Sequence, residues 1–484
     1  MKPIPQHWSG QRVSILGLAR SGLALARVLR GQGSQVLLSD QRAASELGDL
    51  PAQAQQLGAE VEMAGHSRRL LDCDVLIISP GVSLYAPVVQ EALQRGVVVA
   101  GEVEIAYQMC PRPLLAVTGT NGKSTSCSLL QAALGSRGRL AGNIGVPLVS
   151  EVTSDLQGVD FVVAEISSFQ LETVHSFRPK LAMLTNITAD HLDRHRTMEE
   201  YVQAKARLFA YQQAGDWAIF NADDPWAVQV GEWVARGQLP VWPHYPPPGS
   251  GGAQVLHYSV EKRVDLGAWL EDGWFWAHLP GGQAEPILRW DFANLPGPHN
   301  LSNALATCLA ALCVATPRSD IEGAFAGYQR MHHRLEEVGQ LGGVRFIDDS
   351  KATNVSSVES ALQTYAEPIV LIAGGRDKGL DLEALGDVIA RHCHALVGIG
   401  EAGPVIASYA QKHGLQAHHM ATTMEEAVQL AHSLAPSPGV VLLSPACTSF
   451  DMFRNAEHRG DEFAASAQRL IAGSPPGAGQ REER

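Results

Sequence analysis

A short apolar run at residues 114–117 (LLAV) stops abruptly in Thr118-Gly-Thr-Asn-Gly-Lys-Ser-Thr, and a second apolar stretch with helical spacing follows. Strand, glycine-rich loop, lysine–hydroxyl pair and helix in that order are the context of a phosphate-binding loop. Gly119 and Gly122 let the backbone bend so that N–H groups of the loop, through Thr120 and Asn121, point at phosphate oxygens. The helix opening at this point adds its positive end. Lys123 has the reach for β- and γ-phosphates, and the Ser124 hydroxyl, followed by Thr125, is placed to ligate Mg²⁺. The loop is one residue shorter than GxxxxGK[ST] when counted from Gly119. An incidental lysine in a glycine turn is the competing reading, and it must explain strand, helix and Lys-Ser-Thr together.

The rest of the chain repeats the same alternation. Residues 12–16, 35–39 and 74–79 read as strands around a helix at 21–29. Residues 161–164 and 181–184 follow the loop, and 344–347, 369–373, 395–399 and 440–443 come later. Strands alternating with helices make parallel sheets, so the fold class is α/β. At roughly 100–200 residues per domain, 484 residues allow two to four domains. Strand 161–164 runs into Glu165, an acid at a strand end beside the loop, a position that suits Mg²⁺. Strand 181–184 leads to Asn186, Asp190 and His191. A lone histidine is more often structural, but open α/β sheets bind ligands at carboxyl strand ends. Lys205, in YVQAKARLF, reads on its own as a solvated helix lysine.

Eight of the nine tryptophans fall between Trp217 and Trp290. With the alternating stretch 258–278, they suggest a β-hairpin elaboration with an exposed Pro/Gly-rich loop at 246–252. A base-stacking surface would need interleaved Lys and Arg, which are lacking, so a small aromatic β-core is the better reading. The tail from 473 is low-complexity and expected to be disordered.

Gly17-Leu-Ala19-Arg-Ser21-Gly22 approximates GxGxxG, with Asp40 near the spacing of a ribose-binding acid. Alanine at the second glycine position argues against close approach of a dinucleotide. A nicotinamide site, another diphosphate ligand and a structural turn all remain open on these residues alone. Charge narrows the field: 37 basic against 50 acidic residues gives −13, which argues against a nucleic-acid binder but not against small anionic ligands. No apolar run approaches the ~18 residues of a membrane span. The N-terminus lacks a secretory pattern, and seven scattered cysteines fit a reducing cytoplasm.

TGTNGKST, AGNIG (141–145), EISSFQLE (165–172), ITADHLDRH (187–195), YVQAKARLF (201–209) and LPGPHNLSNALA (295–306) together resemble the Mur ligase family. These are ATP-dependent amide-forming enzymes of peptidoglycan precursor synthesis. Two C-terminal motifs, DSKATN (349–354) and LSPACTSFDMF with RGDEF (443–463), resemble its D-glutamate-adding branch. The resemblance implies three domains: a Rossmann-like domain for the UDP substrate (1–111), a central ATPase (112–330) and a C-terminal Rossmann-like domain for the amino acid (331–484).

It also implies roles. Gly17, Ser21, Gly22, Asp40, Gln41 and Arg42 would cradle UDP, with Asn143 near the muramoyl substrate or the nucleotide. Asn303, Arg334 and Asp349 would contact ATP. Glu165 and His191 would serve two Mg²⁺ ions with Ser124 and with Lys205 carbamylated by CO₂. Lys351, Thr353, Lys378, Ser449 and the backbone of Ala456 would face D-glutamate. The implied substrates are UDP-N-acetylmuramoyl-L-alanine and D-glutamate, with no nucleic-acid or membrane partner and a monomeric enzyme. The nearest alternative is a sister ligase adding another amino acid to a UDP-muramoyl or folate-type substrate. More distant ones are a nicotinamide oxidoreductase using the 17–22 turn and a non-catalytic nucleotide scaffold. Ala456 stands where the branch usually has phenylalanine, and the GGRDKG loop (374–379) also departs in form.

Overall fold

The computed structural model describes residues 3–249, 251–292 and 294–473. The expected tail disorder therefore lies outside the described residues, as does Ser250 of the Pro/Gly-rich loop. The central strands of each sheet are aliphatic runs buried on both faces, the signature of parallel strands covered by helices. The chain divides into two compact units.

The first unit comprises residues 1–187, 196–291 and 302–326 and carries two sheets. One sheet has β1 (Arg12–Leu16), β2 (Gln35–Ser39), β3 (Glu60–Glu62), β4 (Val75–Ile78) and β5 (Val98–Gly101), all parallel, in the order β3-β2-β1-β4-β5. The other has β6 (Leu114–Thr118), β7 (Gly138–Gly142), β8 (Phe161–Glu165), β9 (Leu181–Leu184), β10 (Trp217–Asn221), β11 (Gln254–Ser259), β12 (Gly267–Glu271), β13 (Trp274–His278) and β14 (Glu285–Arg289). Its order is β14-β13-β12-β11-β10-β9-β6-β8-β7. The phosphate loop leaves the end of β6 between β8 and β9, so the tips of three adjacent strands frame it.

The 258–278 stretch is not one hairpin. Tyr258 belongs to β11, which pairs parallel with β12, and only β12, β13 and β14 run antiparallel. A Cβ at Gly267 would lie 1.7 Å from the His257 carbonyl oxygen, so glycine is what allows β12 to enter beside β11. Asp272-Gly273, both at positive φ, close the true hairpin with a two-residue turn. Trp269 is buried and stacks on Trp276 at 6.2 Å, while Phe275 stacks on Trp290 at 5.3 Å. The tryptophans thus build a β-core.

Two buried acids of the helix Glu102–Met109 tie this unit together. Glu102 accepts from the Val149 N–H at 2.6 Å. Glu104 accepts from the N–H groups of His175, Ser176 and Phe177 and from the Ser176 hydroxyl. Buried carboxylates persist only when donors surround them in this way.

The second unit comprises residues 188–195, 292–301 and 327–484. Its sheet has β15 (Glu336–Leu341), β16 (Val344–Asp348), β17 (Ile369–Gly374), β18 (Cys393–Ile399), β19 (His418–Met420) and β20 (Gly439–Leu443), in the order β15-β16-β20-β17-β18-β19. All pairs are parallel except β15 with β16. Among the described residues no helix is long and apolar enough to cross a membrane.

Candidate active site

Beside the first sheet lies a cavity of about 830 Å³ whose lining includes Gly17, Ser21, Asp40, Gln41 and Arg42. Gly22 is not part of that lining. A Cβ there would meet the Gly17 carbonyl oxygen at 2.2 Å, so Gly22 serves to let the turn close. The Asp40 carboxylate is held by the Leu18 N–H at 2.8 Å and by the backbone and guanidinium of Arg42 at 2.8–3.0 Å. Burial would raise this acid, but the bonds from Arg42 and Leu18 prevail and bring it down to about 2. Asp40 is therefore an ionised anchor for the turn and for Arg42. Arg20 reaches from the same turn to the Gly145 carbonyl of the AGNIG segment.

The phosphate loop is held in shape by bonds within the protein. Gly119 and Gly122 sit at φ +150° and +81°, and Cβ atoms there would fall 1.9 Å from Thr185 Oγ1 and 2.2 Å from Asn303 Oδ1. Thr120 N–H donates to the Asn186 carbonyl at 2.8 Å, Asn121 N–H to Asn186 Oδ1 at 2.9 Å, and the Thr185 hydroxyl to the Asn121 carbonyl at 2.6 Å. Thr185, the residue after β9, carries no motif that the sequence would single out. Lys123 Nζ donates to the Gly119 and Thr120 carbonyls at 2.9 and 2.7 Å, and Ser124 and Thr125 are buried in the first turn of the helix.

Glu165 ends β8 and is 2% exposed. Asn143 Nδ2 donates to its Oε1 at 2.7 Å, but its Oε2 is buried with no hydrogen-bond partner. A buried carboxylate oxygen without a donor is costly unless a cation faces it, so the site fits a metal ion. Lys205 is not a solvated lysine. It is 2% exposed, donates to the Gly119 carbonyl at 2.7 Å and lies 4.5 Å from the Tyr201 ring. The helix Met198–Ala206 carries Glu199 and Glu200 in its first turn, which makes it look solvated, yet it turns its last turn inward.

The C-terminal unit holds the other expected residues. Burial pushes the Asp349 carboxyl up to about 7, against the pull of Arg334, while its oxygens accept from the Ser444 hydroxyl at 3.0 Å and the Leu335 N–H at 3.3 Å. His191 stands at φ +56° in the segment grouped with this unit, and its N–H donates to Asp190 at 2.8 Å. Lys378 is committed to Asp190 at 2.5 Å, and Asn354 Nδ2 donates to the other oxygen of Asp190 at 3.0 Å. Burial would raise Asp190, but His191 and Lys378 hold it below the usual carboxylate range. Lys351 pairs with Glu457. Thr353 is half-buried, Ser449 is buried, and Ala456 begins the helix Ala456–Gly473 with its carbonyl accepting from the Ser350 hydroxyl at 2.7 Å.

Comparison with known proteins places this arrangement. Residues 117–311 match the Mur ligase middle domain, 333–447 the Mur ligase glutamate ligase domain, and 11–101 the Mur ligase MurD-like N-terminal domain. A UDP-N-acetylmuramoylalanine--D-glutamate ligase from Pelotomaculum thermopropionicum is 40% identical over 94% of this chain and 96% of its own. The chain belongs to the Mur ligase family. A second ligase of the same name, from Geobacter metallireducens, is 39% identical over 97% of this chain and 99% of its own. Among solved structures, MurF from Acinetobacter baumannii shares the Mur ligase fold with a TM-score of 0.59 at 18% identity, covering 94% of this chain and 93% of that one.

Proposed function

We propose that this Mur ligase joins D-glutamate to UDP-N-acetylmuramoyl-L-alanine with hydrolysis of ATP. The observation that carries the chemistry is the buried, unpartnered Oε2 of Glu165 beside the phosphate loop. The near-full-length relatives named as D-glutamate ligases support the choice of amino acid.

The substrate's terminal carboxylate attacks the γ-phosphate, giving an acyl phosphate and ADP. The amine of D-glutamate then attacks the acyl carbon, and phosphate leaves the tetrahedral intermediate. The first step brings two anions together, so the protein must align them and offset their charge. Lys123 and the loop N–H groups serve the phosphates, and Arg334 and Asp349 are the C-terminal unit's candidates for ATP contacts. The cavity around Gly17, Ser21 and Arg42 takes the UDP end. Ser124, Glu165 and a carbamylated Lys205 would hold Mg²⁺, which supplies charge neutralisation at the transferring phosphoryl group. Carbamylation needs an uncharged amine, which adds CO₂ to become a carboxylate. Thr353, Lys378 and Ser449 are the candidates for the carboxylates of D-glutamate, with Lys378 exchanging Asp190 for substrate.

The test is phosphate release with UDP-N-acetylmuramoyl-L-alanine and ATP, comparing D-glutamate with L-glutamate, L-alanine and a diamino acid. Release specific to D-glutamate is expected. Preference for another amino acid would move the chain to a sister activity.

A further inference from the structure

The C-terminal sheet contains a second glycine signature, Gly398-Ile399-Gly400-Glu401-Ala402-Gly403. It leaves β18 and opens the helix Gly403–Lys412, the strand–turn–helix context in which such a turn receives a phosphate. Here the protein fills the turn itself. Glu401 N–H donates to Asp451 Oδ2 at 2.9 Å, Ala402 N–H to the Gly375 carbonyl at 2.9 Å, and Gly403 N–H to the Gly400 carbonyl at 3.3 Å. Gly400 is at φ +63°, and a Cβ on it would lie 2.3 Å from Asp451 Oδ2. The glycine that would admit a pyrophosphate elsewhere admits a carboxylate of this same chain.

Asp451 lies two residues beyond Ser449. Between them the chain is a tight turn, with the Met452 and Phe453 N–H groups donating to the Ser449 carbonyl at 3.2 and 2.8 Å. The strand of loop before it is stitched to the GGRDKG segment. Arg376 N–H donates to the Thr448 carbonyl at 2.9 Å, and the Thr448 N–H and hydroxyl return to the Arg376 carbonyl at 3.1 and 3.0 Å. Arg376 also pairs with Glu401 across the glycine turn. Three loops, one carrying Lys378, one the glycine turn and one Ser449, are thereby tied at a single point.

We propose that Asp451 is a positioning residue for D-glutamate: its carboxylate occupies the anion-accepting turn 398–403 in place of a nucleotide and so sets Ser449 in register with the Lys378 loop. A built-in anion does this better than a neutral side chain because N–H groups of a glycine turn bond a charged acceptor more strongly. Its second oxygen, Oδ1, is buried without a partner, a cost that packing alone does not explain. The inference rests on the D-glutamate reading of the Ser449 and Lys378 loops.

The experiment compares full-length wild type, Asp451→Ala and Asp451→Asn in the phosphate-release assay, with each substrate varied in turn. Loss of the Glu401 bond in Asp451→Ala should raise the D-glutamate KM about tenfold or more, as expected for one lost charge-assisted hydrogen bond. The KM values for ATP and the UDP substrate should stay within about twofold. Asp451→Asn keeps an acceptor oxygen for the Glu401 N–H but not the charge, and should recover part of the loss. If Asp451→Ala does not fold, Asp451→Ser withdraws the same acceptor with a smaller change and carries the same expectation. An unchanged D-glutamate KM, or an equal rise for all three substrates, overturns the proposal, as does an Asn variant as impaired as Ala. Wild-type turnover with D-glutamate separates the two readings: if it is absent, the D-glutamate assignment fails first.

Discussion

Lys123 and Lys205, from two different helices, donate to one and the same oxygen, the carbonyl of Gly119, at 2.9 and 2.7 Å. The second lysine arrives 82 residues after the first in sequence and is almost wholly buried. A buried amine at a phosphate loop is poorly explained as packing, because an alkyl chain would fill the space without desolvating a charge. Replacing Lys205 by alanine should lower kcat by about 10²–10³ while leaving the fold in place. Short carboxylates such as formate, supplied at high concentration, should restore part of the activity if a carbamate is what is missing. Full activity of Lys205→Ala without any additive would dismiss that role.

Lys123 donates to the Gly119 and Thr120 carbonyls of its own loop. Its proposed role is on the transferring phosphate, so removing it should reduce phosphoryl transfer greatly. For Lys123→Ala the expected loss is about 3–4 kcal/mol of transition-state stabilisation, seen in kcat. Substantial residual turnover would remove the loop from the mechanism.

Gly122 is a sharper probe of loop geometry. At φ +81°, any L side chain is strained by about 1–2 kcal/mol, and the new methyl must displace the Asn303 amide that would stand 2.2 Å away. Gly122→Ala should thus lower stability by about 1–3 kcal/mol and raise the ATP KM, because Asn303 and the loop move together. Thermal unfolding and ATP titration read the two effects separately. An ATP KM equal to wild type would mean that the loop tolerates the shift and that Asn303 has no part in nucleotide binding.

What the sequence made legible follows from which physical signal each element carries. β1, β2 and β9 were readable to the residue because a buried parallel strand is a closed apolar run. β3, β15 and β19 (EVE, EEVGQL and HHM) lack such a run, and tertiary pairing alone makes them strands. The phosphate loop announced itself through glycine spacing, but its support from Thr185 and the Asn186 carbonyl uses backbone and hydroxyl groups that leave no pattern. Lys378 could be matched to a motif, yet its partner Asp190 lies 188 residues away and only folding brings them together. Asp40 stood out by its spacing, but the bonds it accepts from the Leu18 N–H and from Arg42 leave no pattern in the sequence.

The two acids at the start of the helix Glu102–Met109 interrupt an apolar stretch, and that interruption is a signal in its own right. Glu102 is fully buried, and burial pushes its carboxyl up to about 7 despite the N–H groups of Val149 and Leu148. The folded state therefore holds the proton more tightly than the unfolded chain, whose glutamate titrates near 4.5. Between those two values the folded state binds more protons, so stability falls as pH rises from about 4.5 to about 7 and levels off above. Glutamine at this position keeps an oxygen for the Val149 N–H and carries no charge at any pH. Glu102→Gln should flatten the stability profile across that window and gain about 2–3 kcal/mol at pH 8. Denaturant unfolding of both proteins at pH 5, 6, 7 and 8 measures this directly. A glutamine variant less stable than wild type at pH 8 would mean that the charged carboxylate, bonded to the first turn of the helix Leu148–Val152, outweighs its own desolvation.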